Sequence, residues 1–389
     1  MLNFLVILFF ISVFLILQTY LLYPLWILLF TSKSKNKHLV YSVNDELPTV
    51  GILIAAYNEE KIIKEKVLSV IKTTYPLSKL RIYVGSDAST DNTDQIINEL
   101  IKEHKNLNLI NFGGRTGKAN IINALAELAN EEIFILTDAN VIFKEDTIFN
   151  LVRHFKDQKF AQVCANIIKV SNSDHGIAKQ EKSYIVFENK IKYGEYKRWN
   201  VVMGAEGGCY AIRKEFYAPV PKNFFMDDFY ITMNVIEKNK KIVFDNEAIC
   251  YEDVPTQAKE EFKRKVRISI GNFQNLFRYK KLLLPFWKGS AFAFWSHKVL
   301  RWLTPFFLIL CLVSAGLLSF HFKVFLGLFI AQGLLLLFPL LDSLSPFRIS
   351  LFKFISHFYF MNLALLKGFF MFAKGVETSI WQPTKRNVE

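Results

Sequence analysis

Long uncharged runs flank a middle region in which short apolar stretches alternate with amphipathic ones. Residues 2–30 contain no charged side chain, and at about 1.5 Å of rise per residue such a helix exceeds the roughly 30 Å hydrocarbon core of a bilayer. The run reads as a membrane span. A cleaved signal peptide fits poorly, because a basic start is missing, the apolar run is too long and no small-residue cleavage site follows. Residues 303–320 and 324–341 are two further uncharged runs rich in Leu and Phe, separated only by HFK, and read as a helical hairpin in the bilayer. Residues 349–372 are apolar but interrupted by Lys353, His357 and Lys367, so they either span or lie along the interface. Just before the hairpin, PFWKGSAFAFWSHKVLRW mixes aromatic and basic residues, as a helix at headgroup level does.

In the middle region the period changes. TVGILIAAYNEE is an apolar run ending in polar residues, and EKIIKEKVLSVIKTTYP then carries apolar residues at helical spacing before a Pro stop. The alternation recurs: LRIYVGSDAST before DNTDQIINELIKEH, NLNLINF before TGKANIINALAELA, and EEIFILTDAN before a helix through Arg153. Strands alternating with amphipathic helices predict an α/β domain with a mostly parallel sheet covered on both faces. Ligands of such sheets sit beyond the carboxyl ends of the strands. Those ends here are AAYNEE, GSDAS, GGRTGK and TDAN, a cluster of acidic and basic residues brought together by topology.

Charge then sets orientation. The net charge of +13 is concentrated at Lys33, Lys35 and Lys37, directly after the first span, and between Lys259 and Lys288, directly before the later ones. The positive-inside rule puts both flanks, and the polar middle between them, in the cytoplasm. No nucleic-acid motif accompanies the charge, so anionic membrane lipid and a phosphate-bearing ligand are the expected partners rather than nucleic acid. Cys164, Cys209, Cys250 and Cys311 lie far apart without metal-ligand spacing and read as buried, reduced thiols. FGGRTGKAN is not a P-loop: the required first Gly falls on Phe112, and Ala119 replaces the Ser or Thr that would reach magnesium. It remains a Gly-rich turn able to present Arg115 and Lys118 to a phosphate. Trp381, among polar residues in SIWQPTKR, fits an interfacial anchor or a gate.

The ordered set AAYNE, GSDAST, TDAN and GGCYAIRK…MDDFY resembles the family 2 glycosyltransferases, membrane-anchored inverting enzymes with an A-type glycosyltransferase fold that include hyaluronan, chitin and cellulose synthases and bacterial exopolysaccharide transferases. The resemblance covers roughly residues 48–275. It implies a Rossmann-like domain over 48–284, with a transmembrane helix at 1–31, a basic linker at 32–47, an interface helix at 285–302, the hairpin at 303–342, a further transmembrane or interfacial helix at 347–373 and a tail at 374–389.

By that resemblance Tyr57, Glu59 and Asp87 hold the uridine of a nucleotide-sugar donor. A carboxylate can accept hydrogen bonds from a ribose hydroxyl or a nucleobase N–H; Glu59 equally fits a helix start and Asp87 an Asx-turn. TDAN matches the family's Asp-x-Asp metal motif, so Asp138 and Asn140 are the expected ligands of Mg²⁺ or Mn²⁺, with a neutral carbonyl in place of the second carboxylate. Asp228 matches the catalytic base of the Glu-Asp motif, and Asp227 replaces its Glu; the same pair also fits an acidic helix start. Gly207 and Gly208 stand where backbone approaches the sugars. Arg264 and Arg267 are in register with the Gln-x-x-Arg-Trp segment of processive synthases, but Ile268 replaces the Trp. Arginines there can clamp a diphosphate, whereas the missing aromatic platform favours transfer of one or a few sugars. The implied protein is a multi-pass inner-membrane transferase with a cytoplasmic catalytic domain. It would use a UDP-linked donor and a lipid-linked or glycan acceptor, with polysaccharide-assembly subunits as further partners. A processive synthase and a non-catalytic nucleotide-sugar sensor or scaffold are the competing readings.

Overall fold

The structure is a computed structural model that describes residues 1–31, 38–170, 177–253, 258–344 and 350–376. Lys33, Lys35, Lys37 and Trp381 lie outside the described residues. The chain divides into two compact units, one of Met1–Trp26 with Ala258–Gly375 and one built on Ile27–Gln257.

The second unit is built on an eight-stranded sheet of β1 (Val50–Ala56), β2 (Leu80–Ser86), β3 (Leu107–Asn111), β4 (Ile133–Asp138), β5 (Val141–Phe143), β6 (Phe160–Val170), β7 (Cys209–Arg213) and β8 (Lys241–Asp253). The order is β3-β2-β1-β4-β7-β6-β8-β5. The first four strands are mutually parallel, as their alternation with helices requires. Val50, Ile52, Leu53 and Ile54 of β1 are fully buried, because helices cover both faces of a central parallel strand. The covering helices Ile63–Ile71, Thr93–Glu103 and Lys118–Leu128 each turn an apolar stripe to the sheet, with Ile63, Val67 and Val70, then Ile97 and Leu100, then Ile121, Ile122 and Leu125 buried.

The other half departs from simple alternation. β7 runs antiparallel to both β4 and β6, and β5 antiparallel to β8. The segment after TDAN does not pass straight into a helix: β5 intervenes before helix Thr147–Val152. Three residues are too few to show a period, so β5 leaves no hydropathic trace. Register places the site: Ala55 lies beside both Gly85 and Asp138, and Thr137 beside Cys209. The carboxyl ends of β1, β2 and β4 are therefore level, with the Gly207–Gly208 segment alongside.

In the first unit, helix Leu2–Leu17 and helix Leu300–Leu318 share a cluster of Phe9, Cys311, Ala315, Leu318 and Phe325. Helix Ala258–Arg278 packs on helix Ser350–Lys374, where the Ser269 hydroxyl donates to the Leu365 carbonyl at 2.8 Å and Phe273 meets Phe369 edge-on. Among the described residues three helices are long and apolar enough to cross a membrane: Leu2–Thr31, Gly289–Leu318 and Phe352–Lys374, with Lys323–Pro339 a shorter apolar helix. Gly289–Leu318 is continuous through a π-helical turn at Phe294–Val299, so the interface helix and the following span merge into one element.

Candidate active site

Asp87 lies just past the end of β2 and is 2% exposed. Its carboxylate accepts from Arg115 Nε at 3.1 Å, Thr116 N at 2.6 Å, Thr116 Oγ1 at 3.1 Å and Gly117 N at 3.2 Å. These occupy the acceptor positions a carboxylate offers, so Asp87 organises the GGRTGK turn rather than presenting free oxygens. The turn carries its bond to the next element, because Gly117, at φ 89°, supplies the left-handed step that opens helix Lys118–Leu128. Arg115 in turn lays its guanidinium 3.3 Å from the centre of the Tyr57 ring, a cation–π stack that joins the end of β1 to the turn after β3. Glu59 is buried; its backbone N–H donates to Thr93 Oγ1 at 2.9 Å, and its carbonyl accepts from Ile62 and Ile63 as the next helix starts. Asp87→Asn should disorder this turn, since an amide cannot accept at both ends. Donor KM is expected to rise about 10-fold, in line with the roughly 1–2 kcal/mol lost when a charged acceptor is removed, read from initial rates against donor concentration.

Around Lys118 three carboxylates converge. Its Nζ lies 2.6 Å from Asp138 Oδ1 at the end of β4 and 3.7 Å from Asp227 Oδ2. Burial opposes the lysine charge, but Asp138, Asp227 and Asp228 outweigh it and hold the ammonium protonated well above the ordinary lysine range. The Asp pair opens helix Asp227–Glu237, so the acidic helix start and the paired carboxylates are one feature. Met226 precedes them at φ 59°, a left-handed conformation that a non-glycine residue holds only under constraint, and it re-aims the chain into the helix. Asp228 is 7% exposed, and its Oδ1 accepts from the Phe229 N–H at 2.7 Å. Burial, then repulsion from Asp227, pushes its carboxyl up from 3.8 to about 7, against the opposing pull of Lys118.

Gly207 closes over this group: a Cβ there would stand 3.1 Å from Asp228 Oδ2 and 3.5 Å from Lys118 Nζ. The Gly208 carbonyl accepts from Asp138 N at 3.2 Å and from Thr137 Oγ1 at 2.8 Å, which ties the glycine segment to the TDAN turn. Asn140 is buried and points its amide at Glu252 Oε1, 3.5 Å away, while Glu252 pairs with Lys169 at 2.5 Å. Arg264 and Arg267 belong to helix Ala258–Arg278 of the other unit, where Arg264 pairs with Glu261 at 3.1 Å.

The donor set limits which cation fits. Among the described residues no cluster of three or more His, Cys, Asp or Glu could hold an ion unaided. Asp138 with one amide carbonyl suits a hard cation that takes its remaining ligands from water and a diphosphate, the usual manner of Mg²⁺.

Two groups here escaped the sequence reading. Glu252 lies in a strand that shows no clear period. Lys66, fully buried, reaches Thr137 Oγ1 at 2.9 Å. It stands three residues after Ile63 and four before Val70, in phase with the apolar stripe, and that phase was the available signal.

A mixed sheet whose parallel half ends in these carboxylates, with a lysine among them and a glycine segment alongside, defines a glycosyltransferase of the A-type fold. Residues 51–219 match the family described as Glycosyl transferase family 2, so this stretch is a family 2 glycosyltransferase domain. It is 25% identical over 304 residues to the poly-beta-1,6-N-acetyl-D-glucosamine synthase of Staphylococcus epidermidis, covering 74% of this chain and 72% of that one. It is 29% identical over 132 residues to the beta-monoglucosyldiacylglycerol synthase of a Nostoc species, covering 33% of this chain and 28% of that one. Its fold matches that of the mannosyltransferase PcManGT from Pyrobaculum calidifontis, in complex with GDP-Man and Mn²⁺, at a TM-score of 0.69 and 19% identity, over 94% of this chain and 99% of the other.

Proposed function

We propose that the protein is an inverting, divalent-cation-assisted transferase that moves a sugar from a UDP-linked donor to a lipid-linked or polysaccharide acceptor at the cytoplasmic face of the plasma membrane. The observation that carries the reading is the buried Asp228 carboxyl, poised near neutrality beside a lysine that is itself shared with Asp138 and Asp227. A base with that pKa takes a proton from an acceptor hydroxyl efficiently at physiological pH. The acceptor oxygen then forms its bond to the anomeric carbon as the bond from that carbon to the diphosphate oxygen breaks, so a single displacement inverts the configuration. The proton ends on Asp228 and the electron pair on the leaving nucleoside diphosphate.

Lys118 and Arg115 offer positive charge to that diphosphate, and Tyr57, Glu59 and the turn held by Asp87 form the nucleotide side. Asp138 and Asn140 would hold Mg²⁺ or Mn²⁺, which neutralises charge on the leaving diphosphate when bound. Gly207 leaves room for the sugars beside Asp228, whereas Gly208 is bare for packing, since a Cβ there would stand 2.7 Å from Ile167 Cδ1; Asp227 keeps the mouth of the site acidic.

The relative that makes a glycolipid supports a lipid acceptor, and Ile268 in place of an aromatic platform supports addition of one or a few sugars. A processive synthase, with partner subunits completing export, is the second reading; the Staphylococcus relative, matched over most of both chains, favours it. The positive flanks of the spans support the cytoplasmic placement. The test is to give the detergent-purified full chain UDP- and GDP-sugars with Mn²⁺ and lipid extract, then read product length and anomeric configuration by NMR. A short lipid-linked product of inverted configuration is expected; retained configuration would overturn the single displacement, and long polymer would select the second reading.

A further inference from the structure

Lys66 is buried completely, and among the described residues its ammonium makes no ion pair with a carboxylate, Asp138 acting on it only through its more distant charge. A buried ammonium without a counter-ion is expensive, and burial lowers its pKa to about 8, which leaves it mainly protonated at neutral pH. Its protons go instead to the two ends of one turn. Nζ donates to Thr137 Oγ1 at 2.9 Å and to the Val141 carbonyl at 2.5 Å, and it sits 3.7 Å from the centre of the Phe143 ring. The residues between those anchors are Asp138, Ala139 and Asn140. Thr137 passes the connection on, since its hydroxyl donates to the Gly208 carbonyl, which also accepts from Asp138 N.

We propose that Lys66 is a positioning residue for the cation site, clamping the TDAN turn from inside the sheet so that Asp138 and Asn140 are held in place to share one ion with the donor diphosphate. The role rests on the cation reading given under Proposed function. Two features separate it from ordinary core filling. An apolar side chain of the same length would fill the space without the cost of burying charge, and both hydrogen bonds fall on the turn rather than on helix Ile63–Ile71 that carries the lysine. The Val141 carbonyl, which lies against the fold interior, would lose this charged donor if Lys66 were replaced, and the turn would be free to shift.

The test is calorimetric titration of Mn²⁺ into the full-length detergent-solubilised protein saturated with UDP, beside titration of UDP without metal and a thermal melt. Groups that orient metal ligands typically contribute about 10- to 100-fold to metal affinity, so Lys66→Met should weaken Mn²⁺ binding by at least about 10-fold. Metal-free UDP affinity should be unchanged, and Tm should stay near that of the parent because the buried charge is gone. A lowered Tm with unchanged Mn²⁺ affinity would mark Lys66 as structural only and overturn the proposal while leaving the transferase reading intact. A parent protein that binds UDP but no Mn²⁺ would overturn the cation reading and the role of Lys66 with it. If Lys66→Met does not fold, Thr137→Val removes the hydroxyl at constant shape; weaker Mn²⁺ binding is again expected, and unchanged binding overturns the proposal.

Discussion

Asp228→Asn is expected to slow transfer by orders of magnitude and, at alkaline pH, to stabilise the protein. A positioned general base is worth about 10²- to 10⁴-fold in rate, and the amide cannot accept the proton, so kcat should fall by that factor. The parent rate should rise with pH through a midpoint at about 7, where the Asp228 carboxyl ionises, and the residual rate of the variant should lack that limb. The stability effect has the opposite sign. The folded state binds the Asp228 proton more tightly than the unfolded chain, so between pH 3.8 and about 7 the unfolded chain holds fewer protons and stability falls as pH rises. A shift from 3.8 to about 7 corresponds to up to about 4 kcal/mol at pH 8, since each unit is about 1.4 kcal/mol. Asp228→Asn removes that penalty. Its Tm should exceed the parent's at pH 8, with the gap closing towards pH 4. A Tm gap independent of pH would contradict the burial argument.

Lys118→Met should be the second most damaging change. It leaves Asp138, Asp227 and Asp228 together without the ammonium that lies 2.6 Å from the first and 3.7 Å from the second. Because Lys118 holds the Asp228 pKa down, its loss moves the acid limb of the pH–rate profile to higher pH, so at pH 7 most molecules carry a protonated base. The diphosphate also loses a cation. The combined loss of kcat/KM at pH 7 is expected to reach about 10²- to 10³-fold, the range for removing one electrostatic stabiliser of a leaving group. Raising the pH should recover part of the rate. An acid limb left where the parent has it would contradict the electrostatic role of Lys118.

The parallel half of the sheet was legible because its strands and helices alternate at clean periods, and the site residues there fall at strand ends by topology alone. Asp227 and Asp228 were legible as a helix start, and the pair does open helix Asp227–Glu237. What escaped depends on contacts between segments distant in sequence. β5 is too short to carry a period, and β7 enters the sheet antiparallel between β4 and β6, a pairing that no local pattern encodes. Asp87 carries a chemistry the residue type alone left open, since the hydrogen bonds that occupy it come from Thr116 and Gly117, about 30 residues downstream in chain order. Lys66 reads as one more charge in KEK; only its phase with Ile63 and Val70 distinguishes it from its solvated neighbours.

The role of Asp228 as the base of a transferase is tested by release of nucleoside diphosphate from the detergent-purified protein. The assay runs across a panel of nucleotide sugars with Mg²⁺ or Mn²⁺, with and without lipid extract, for the parent and Asp228→Asn side by side. Release from one donor is expected, dependent on the divalent cation and on acceptor, and lost in the variant. Equal release by parent and variant would contradict the assignment of the base, and nucleotide binding without turnover of any donor would contradict catalysis itself.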